Sequence, residues 1–296
     1  MNESLGTLFA LASSLLLAAF VLLIRQGTSD GRGTPAEAIV IVLATTAILH
    51  GISGLVVYFP VYRLSTISVL SFVAAGITGS VIARRFFLEG IARLGAATAD
   101  SLKASTPAFS FLWAVTILRE PAHWHAIVGI VGITVGLILI SRREALSDAV
   151  EPTRIRPVDV LIPLAAAFFY SIEPICVRFG LIQGTPSLLG LSVQSSSAAL
   201  LYIVYAALFG KIPSGLHRSR ALGWFIAAGF ASAGFLLLYN HALSLSSVVR
   251  VFPITQISPL LVIAFSWTCL RSVERIRARL VVGAAMVACG AVAVSL

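Results

Sequence analysis

One stretch of this chain occurs twice, and that duplication limits what the chain can fold into. Phe-Val-Ala-Ala-Gly at Phe72–Gly76 returns as Phe-Ile-Ala-Ala-Gly at Phe225–Gly229, 153 residues later. Thr106-Pro107 returns as Ser258-Pro259 at a spacing of 152, and Arg25-Gln26-Gly27 returns as Arg178-Phe179-Gly180 at 153. Glu120, Gly129 and Gly136 return as Glu274, Gly283 and Gly290, each at 154. Several matches in one order, with an offset that drifts by only two residues, mark an internal repeat. The chain reads as two similar halves, 1–141 and 158–296, joined by a linker over 142–157 that is rich in charge and proline.

Composition says what the halves are made of. Apolar residues are 58% of the 296 and charged residues 11%, against about 25% charge in an ordinary soluble domain. One aqueous globule cannot hide that much apolar surface, so the expectation is an integral membrane protein whose first partner is the lipid bilayer. The formal net charge of +9 gathers at segment ends and forms no continuous stripe, which fits membrane flanks and excludes a nucleic-acid partner. Cys176, Cys269 and Cys289 stand in apolar segments at spacings that suit neither a metal site nor a disulfide framework. His123-Trp124-His125 has no further ligand at a fitting spacing, and Trp124 suits an aromatic belt. No metal or cofactor is implied. The N-terminus lacks a basic region and a cleavage site, so the first apolar segment reads as a retained helix.

A spanning helix needs about 20 mostly apolar residues. Ten such runs can be drawn, at 5–24, 36–59, 68–90, 98–118, 124–141, 158–178, 187–209, 221–243, 248–270 and 277–296. Five per half is an odd number, so a duplicated unit has to enter the bilayer twice with opposite orientations. The expected fold is therefore all-α, with ten transmembrane helices arranged as two inverted five-helix repeats. Secondary transporters use that architecture and place the solute near the midplane between the repeats.

Each half closes with a Ser/Thr-Pro helix, a Glu at the next turn and a Gly-rich helix with glycines seven apart. The first copy reads Ala-Ser-Thr-Pro-Ala-Phe-Ser-Phe-Leu-Trp, Leu-Arg-Glu-Pro and Val-Gly-Ile-Val-Gly-Ile-Thr-Val-Gly. The second reads Ile-Ser-Pro-Leu-Leu, Val-Glu-Arg-Ile and Val-Val-Gly-Ala-Ala-Met-Val-Ala-Cys-Gly. Over essentially its whole length the chain resembles the EamA family of the drug/metabolite transporter superfamily. It departs from the family where a Trp-Gly often stands in the first helix of each repeat: Leu17-Ala18 and Tyr170-Ser171 occupy that region. The resemblance implies a carrier or exporter of small metabolites, frequently amino acids, in a bacterial or archaeal cytoplasmic membrane. It also implies a central cavity lined by helices 1–4 and 6–9. Loops after odd-numbered runs carry most of the basic residues, which places both termini outside by the positive-inside rule, whereas the resemblance implies both inside.

Residues that repeat read as scaffold. Gly129/Gly136 and Gly283/Gly290 lie on one helix face each and would let helices approach closely in lipid. Glu120 and Glu274 stand at helix ends, where a carboxylate can cap a helix N-terminus. Pro107 and Pro259, beside Thr106 and Ser258, predict a shared kink.

Residues that do not repeat are the candidates for solute chemistry, because two identical half-sites hold an asymmetric solute poorly. Ionisable groups inside a span are costly and functional by default. Glu173 precedes Pro174 in mid-helix, and the proline leaves the Tyr170 carbonyl without its usual partner. Glu173 and Tyr170 could bind an amine or carry a coupling proton, or serve an arginine structurally. Arg84 and Arg85 fall in the third run, with Glu89 spaced to pair with Arg85. Arg84 could then hold a carboxylate or phosphate, or snorkel to the interface. Asp100 and Lys103 can pair, and Lys103 and Arg250 could grip an anionic group from opposite repeats or anchor at the interface. Asn240, His241, Gln256, and Gln194 amid Ser192, Ser195, Ser196 and Ser197, could hydrogen-bond a solute or bridge helices; Gln256 lies between Pro253 and Pro259.

These candidates point to a secondary carrier of a zwitterion such as an amino acid, with organic anions or phosphorylated metabolites as the alternative. There is no Gly-x4-Gly-Lys-Ser/Thr loop for ATP. A membrane-embedded enzyme is the competing class, but no His-Glu-x-x-His, Gly-x-Ser-x-Gly or paired acids at helical spacing are present. A monomer can function, since both repeats share one chain.

Overall fold

Short polar caps set where the helices begin. Thr34 precedes Pro35, and its hydroxyl accepts from the Glu37 N–H at 3.2 Å, with proline in the first turn where no donor is needed. Ser65 accepts from the Ser68 N–H at 3.1 Å and starts the third apolar run in the same way. The computed structural model describes residues 2–29, 32–62, 64–94, 96–121, 123–145, 157–209, 220–269 and 278–295.

Among the described residues the chain is helical throughout, with no strand. The first half holds α1 (Asn2–Thr28), α2 (Pro35–Tyr58), α3 (Thr66–Ala75), a π-helical segment (Gly76–Ala83), α4 (Arg84–Leu94), α5 (Ala96–Lys103), α6 (Thr106–Thr116) and α7 (Trp124–Ala145). The second holds α8 (Pro157–Ile182), α9 (Ser187–Leu208), α10 (Leu222–Leu245), α11 (Val248–Thr255), α12 (Ser258–Cys269) and α13 (Ala278–Ser295). Six described stretches are long and apolar enough to cross a membrane: 4–28, 35–58, 66–91, 158–182, 187–208 and 222–245. Outward positions such as Leu8, Ile52, Val56, Leu70, Val131, Leu161, Leu200 and Phe230 are exposed and apolar, as a lipid-facing surface requires.

The fourth and ninth apolar runs are each broken in two. α5 stops at Lys103 and α6 restarts at Thr106-Pro107; α11 stops at Thr255 and α12 restarts at Ser258-Pro259. Where the sequence predicts a kink at Pro107 and Pro259, the backbone makes a turn two to three residues upstream. Proline fits there because its missing N–H falls in the first turn of the new helix.

The duplicated motifs pack on each other reciprocally. A Cβ on Gly180 would meet the Phe72 ring at 2.7 Å, and one on Gly27 would meet the Phe225 ring at 2.8 Å. Each Phe of the Phe-x-Ala-Ala-Gly motif thus covers the Gly of the Arg-x-Gly motif in the other half, and both rings are fully buried. The same exchange holds the peripheral pair α7 and α13. A Cβ on Gly129 would meet the Gly290 carbonyl at 2.5 Å, and one on Gly136 would meet the Gly283 carbonyl at 2.7 Å. The four repeated glycines face one another, so the two backbones touch.

Candidate functional site

The middle of the molecule combines three local irregularities. Helix α8 carries Pro163 and Pro174 in its interior, and Pro174 leaves the Tyr170 carbonyl without an intrahelical donor one turn upstream of Glu173. Facing it, the π-helical segment widens the third run by one extra residue in the turn, a feature common at functional sites. Gly79 in that segment has no side chain, and the Glu173 carboxylate fills the space a Cβ would take, with Cδ 2.6 Å from that position. Gly76 stands against the Gln194 carbonyl in the same way, at 2.6 Å.

A polar chain runs from there across three helices. Gln194 Nε2 in α9 donates to Glu173 Oε1 at 2.9 Å, and Asn240 Nδ2 in α10 donates to Gln194 Oε1 at 3.3 Å. Gln194 and Asn240 are buried, and Asn240 Oδ1 has no partner among the described residues. The Arg84 guanidinium, at the start of α4, acts electrostatically on Glu173, and Tyr239 lies within range of the same carboxylate. Glu173 thus lies within the field of the Arg84 cation, and Gln194 and Asn240 extend from it as a chain of hydrogen-bonding groups.

The other candidates lie in neighbouring clusters. Lys103 Nζ lies over the Phe87 ring at 4.5 Å and the Tyr170 ring at 5.5 Å, and 3.7 Å from Asp100 Oδ1. Arg85 Nη1 donates to the Tyr205 hydroxyl at 3.2 Å with its guanidinium over that ring. The Arg85–Glu89 pairing expected from spacing does not form: Glu89 pairs with Arg93 at 2.8 Å, and Arg93 also reaches Asp159 at 3.1 Å. The reason is order along the helix, since an acid N-terminal to its base at i,i+4 agrees with the helix dipole and the reverse does not. These two carboxylates, Glu89 by hydrogen bond first, raise the Arg93 pKa. His241 meets Phe9 edge to face at 4.7 Å. Gln256 is the residue that ends α11, and Arg250 stands partly buried in the first turn of that helix. His123 and His125 stack at 5.2 Å, and no group that could hold a metal occurs among the described residues.

Two features go beyond what the sequence pattern signals. His50 is buried in α2, 2.8 Å from Ser195 Oγ by Nδ1 and 3.1 Å from the Ala233 carbonyl by Nε2, so it ties α2 to α9 and α10. Its isolation in an apolar run was the only available cue. Glu120 accepts from the Val248 and Val249 N–H groups at 3.0 Å each, so it caps α11 in the other half and not the helix that follows it in sequence. Arg119 takes φ 53° in the turn beyond α6, and the Glu120 N–H returns to the Ala114 carbonyl at 3.1 Å, closing seven residues into a turn from which the carboxylate reaches across. Arg178 joins it, with Nε 3.9 Å from Glu120 Oε1 and Nη1 donating to the Leu243 carbonyl at 2.5 Å. Glu274, the duplicate of Glu120, lies outside the described residues.

The sequence signature of the EamA-like transporter family matches residues 4–142 and again residues 158–296. The chain belongs to the EamA-like transporter family. Each match is one half of the duplication, and EamA proteins are membrane transporters of small molecules rather than enzymes. A protein of known crystal structure superposes with a TM-score of 0.77 over 98% of this chain and 96% of its own, at 15% identity, which establishes a shared fold. No curated protein matches the chain. This EamA protein is thus an integral, multi-pass membrane protein whose partners are the bilayer and a small solute.

Proposed function

We propose that this chain is a secondary carrier of amino acids or similar zwitterions, working by alternating access in a bacterial or archaeal cytoplasmic membrane. Ten spans form two inverted five-helix repeats, 1–141 and 158–296, with 142–157 as linker, and the solute sits between them. The observation that carries the reading is the Glu173 carboxylate, set against Gly79 and Gln194 within the field of Arg84. An acid and a base within electrostatic reach of each other complement the ammonium and carboxylate of an amino acid. Gln194, Asn240 and the Tyr170 carbonyl supply neutral hydrogen-bonding groups on the acid's side, and Gln256 completes the proposed set from the end of α11. The organic-anion alternative asks Lys103 and Arg250 to grip one charge, and Lys103 is already shared among Asp100, Phe87 and Tyr170.

Proteoliposome exchange with pools of amino acids, organic acids and sugar phosphates tests this. Saturable amino-acid exchange, lost in Glu173→Gln and in Arg84→Ala, is expected. Exchange confined to anions and indifferent to Glu173→Gln would refute the zwitterion site.

A further inference from the structure

Asn240 is fully buried in α10, yet its Oδ1 has no hydrogen-bond partner among the described residues. The cause is the direction of the chain that ends on it. An ionised carboxylate only accepts, so Glu173 requires the Gln194 amide to present its NH2 group. Gln194 Oε1 then faces α10 and takes the Asn240 NH2 group, which leaves the Asn240 carbonyl oxygen as the loose end. Each amide is oriented by its neighbour, and the order of donors and acceptors is set by the charge at Glu173. A buried acceptor left without a donor costs about 1–3 kcal/mol, so its retention points to a ligand group that completes it.

We propose that Glu173, Gln194 and Asn240 form a hydrogen-bond chain whose direction reverses when Glu173 takes a proton, so that Asn240 offers the solute an acceptor in one state and a donor in the other. Hydronium from the aqueous side gives its proton to the carboxylate and leaves as water; one O–H bond forms and one breaks. The new Glu173 O–H donates to Gln194 Oε1. The Gln194 amide turns over, Nε2 donates to Asn240 Oδ1, and the Asn240 NH2 group becomes the loose end. Only terminal amide torsions move, and these are broad and roughly two-fold. With Glu173 ionised, Asn240 Oδ1 accepts from an ammonium group. With Glu173 protonated, the site shows that group an N–H donor and no anion. Loading of an amine on one side is then tied to loss of a proton. This last step rests on the zwitterion reading above; the reversal itself does not.

The groups that face Glu173 come from several elements. They are Arg84 from α4, Tyr239 from α10, Gln194 from α9 and Cys176 from its own helix, with Tyr202 of α9 within range of Arg84. Arginine, tyrosine and cysteine ordinarily titrate above neutrality, which leaves Glu173 as the acid of the cluster. His50 lies on Ser195 and the Ala233 carbonyl, beside the chain and not in it.

Infrared difference spectra, acid minus alkaline, on the full protein in lipid without solute read the reversal directly. With isotope-labelled Asn and Gln side chains, wild type is expected to show a protonated-carboxyl band together with shifts of the side-chain amide bands. Both are lost in Glu173→Gln, and Gln194→Leu keeps the carboxyl band but loses the Asn240 shift. A wild-type carboxyl band with unmoved amides would overturn the reversal. So would the absence of any carboxyl band that Glu173→Gln removes. Exchange of labelled alanine, measured separately on the same vesicles, reports on the carrier reading: no exchange with the infrared reversal intact would refute the solute class alone.

Discussion

Removing the Glu120 carboxylate should loosen the join between the two halves at one end of the molecule. Its side chain is 10% exposed and accepts two bonds, from the Val248 and Val249 N–H groups, both at 3.0 Å. Glu120→Ala leaves two first-turn donors unpaired, at about 1–3 kcal/mol each when buried. It also removes an anion from a helix N-terminus, worth roughly 0.3–1 kcal/mol. Water entering at the helix start lowers the donor cost, so a loss of about 2–6 kcal/mol brackets the effect. A loss of 1 kcal/mol moves Tm by about 2–4 °C in a chain of 150–250 residues, so the variant should melt at least about 4 °C lower. Arg178 shares the cluster through Glu120 and the Leu243 and Ser244 carbonyls, so Glu120→Ala and Arg178→Ala should be non-additive by about 0.5–3 kcal/mol. Thermal scanning of the purified variants in detergent measures both quantities. A Glu120→Ala protein melting within about 1 °C of wild type, or strict additivity with Arg178→Ala, would refute the cap.

Two further substitutions test the packing. Gly129→Leu and Gly136→Leu drive a side chain into the carbonyls of Gly290 and Gly283, and both should abolish a monodisperse peak in size-exclusion of detergent extracts. Gly132→Ala on the same helix meets nothing nearer than 3.5 Å and should leave that peak unchanged; equal damage from all three would remove close approach as the reason for the glycines. Gly79→Ala should displace the flexible Glu173 carboxylate rather than the backbone, so Tm should hold while amino-acid exchange falls by at least about tenfold, a change of about 1.4 kcal/mol in site occupancy. Unchanged exchange in a folded Gly79→Ala protein would separate Glu173 from the solute.

The scaffold was legible because it was written twice. Phe72 and Gly180, or Gly129 and Gly290, cannot be paired by inspecting either half alone, but duplication marks them as structural, and the reciprocal contacts show why both copies are needed. Apolar run lengths placed the helices, and Ser/Thr-Pro marked where the fourth and ninth runs break. What stayed hidden depends on neighbours in space. The π-helical segment arises in Gly-Ile-Thr-Gly-Ser-Val-Ile-Ala, whose apolar pattern reads as ordinary helix, because one extra residue per turn leaves no compositional trace. Glu89 has bases at both i−4 and i+4, and only the dipole argument and Asp159 decide for Arg93. Glu120 reads as a cap from sequence, but the helix it caps lies 128 residues away. Glu173 stood out because a carboxylate before proline in an apolar run is costly, whereas Gln194 and Asn240 became its partners only when α8, α9 and α10 were placed side by side.

That chain also shows how a doubled unit acquires a single site. Shifted back by the repeat offset of 153, Glu173, Gln194 and Asn240 fall on Phe20, Ile41 and Phe87. The three polar positions of one half are therefore all apolar in the other. Under the proposed inverted-repeat arrangement, an exact duplicate would bring two carboxylates together, where like charges at close range cannot both ionise. Replacing one set by apolar residues removes that conflict. Of the three, Phe87 still meets a charged group, its ring lying 4.5 Å from the Lys103 ammonium. The contacts between duplicated residues persist through this divergence, since Phe72 and Phe225 still meet Gly180 and Gly27 and the four glycines still meet one another. Repeated residues thus hold the halves together, and in the proposed carrier their local divergence is what makes the solute site asymmetric. Restoring the symmetry tests this directly: Phe20→Glu, which adds the missing carboxylate, should leave the glycine contacts intact and yet abolish amino-acid exchange, and a Phe20→Glu protein that exchanges normally would refute the asymmetry argument.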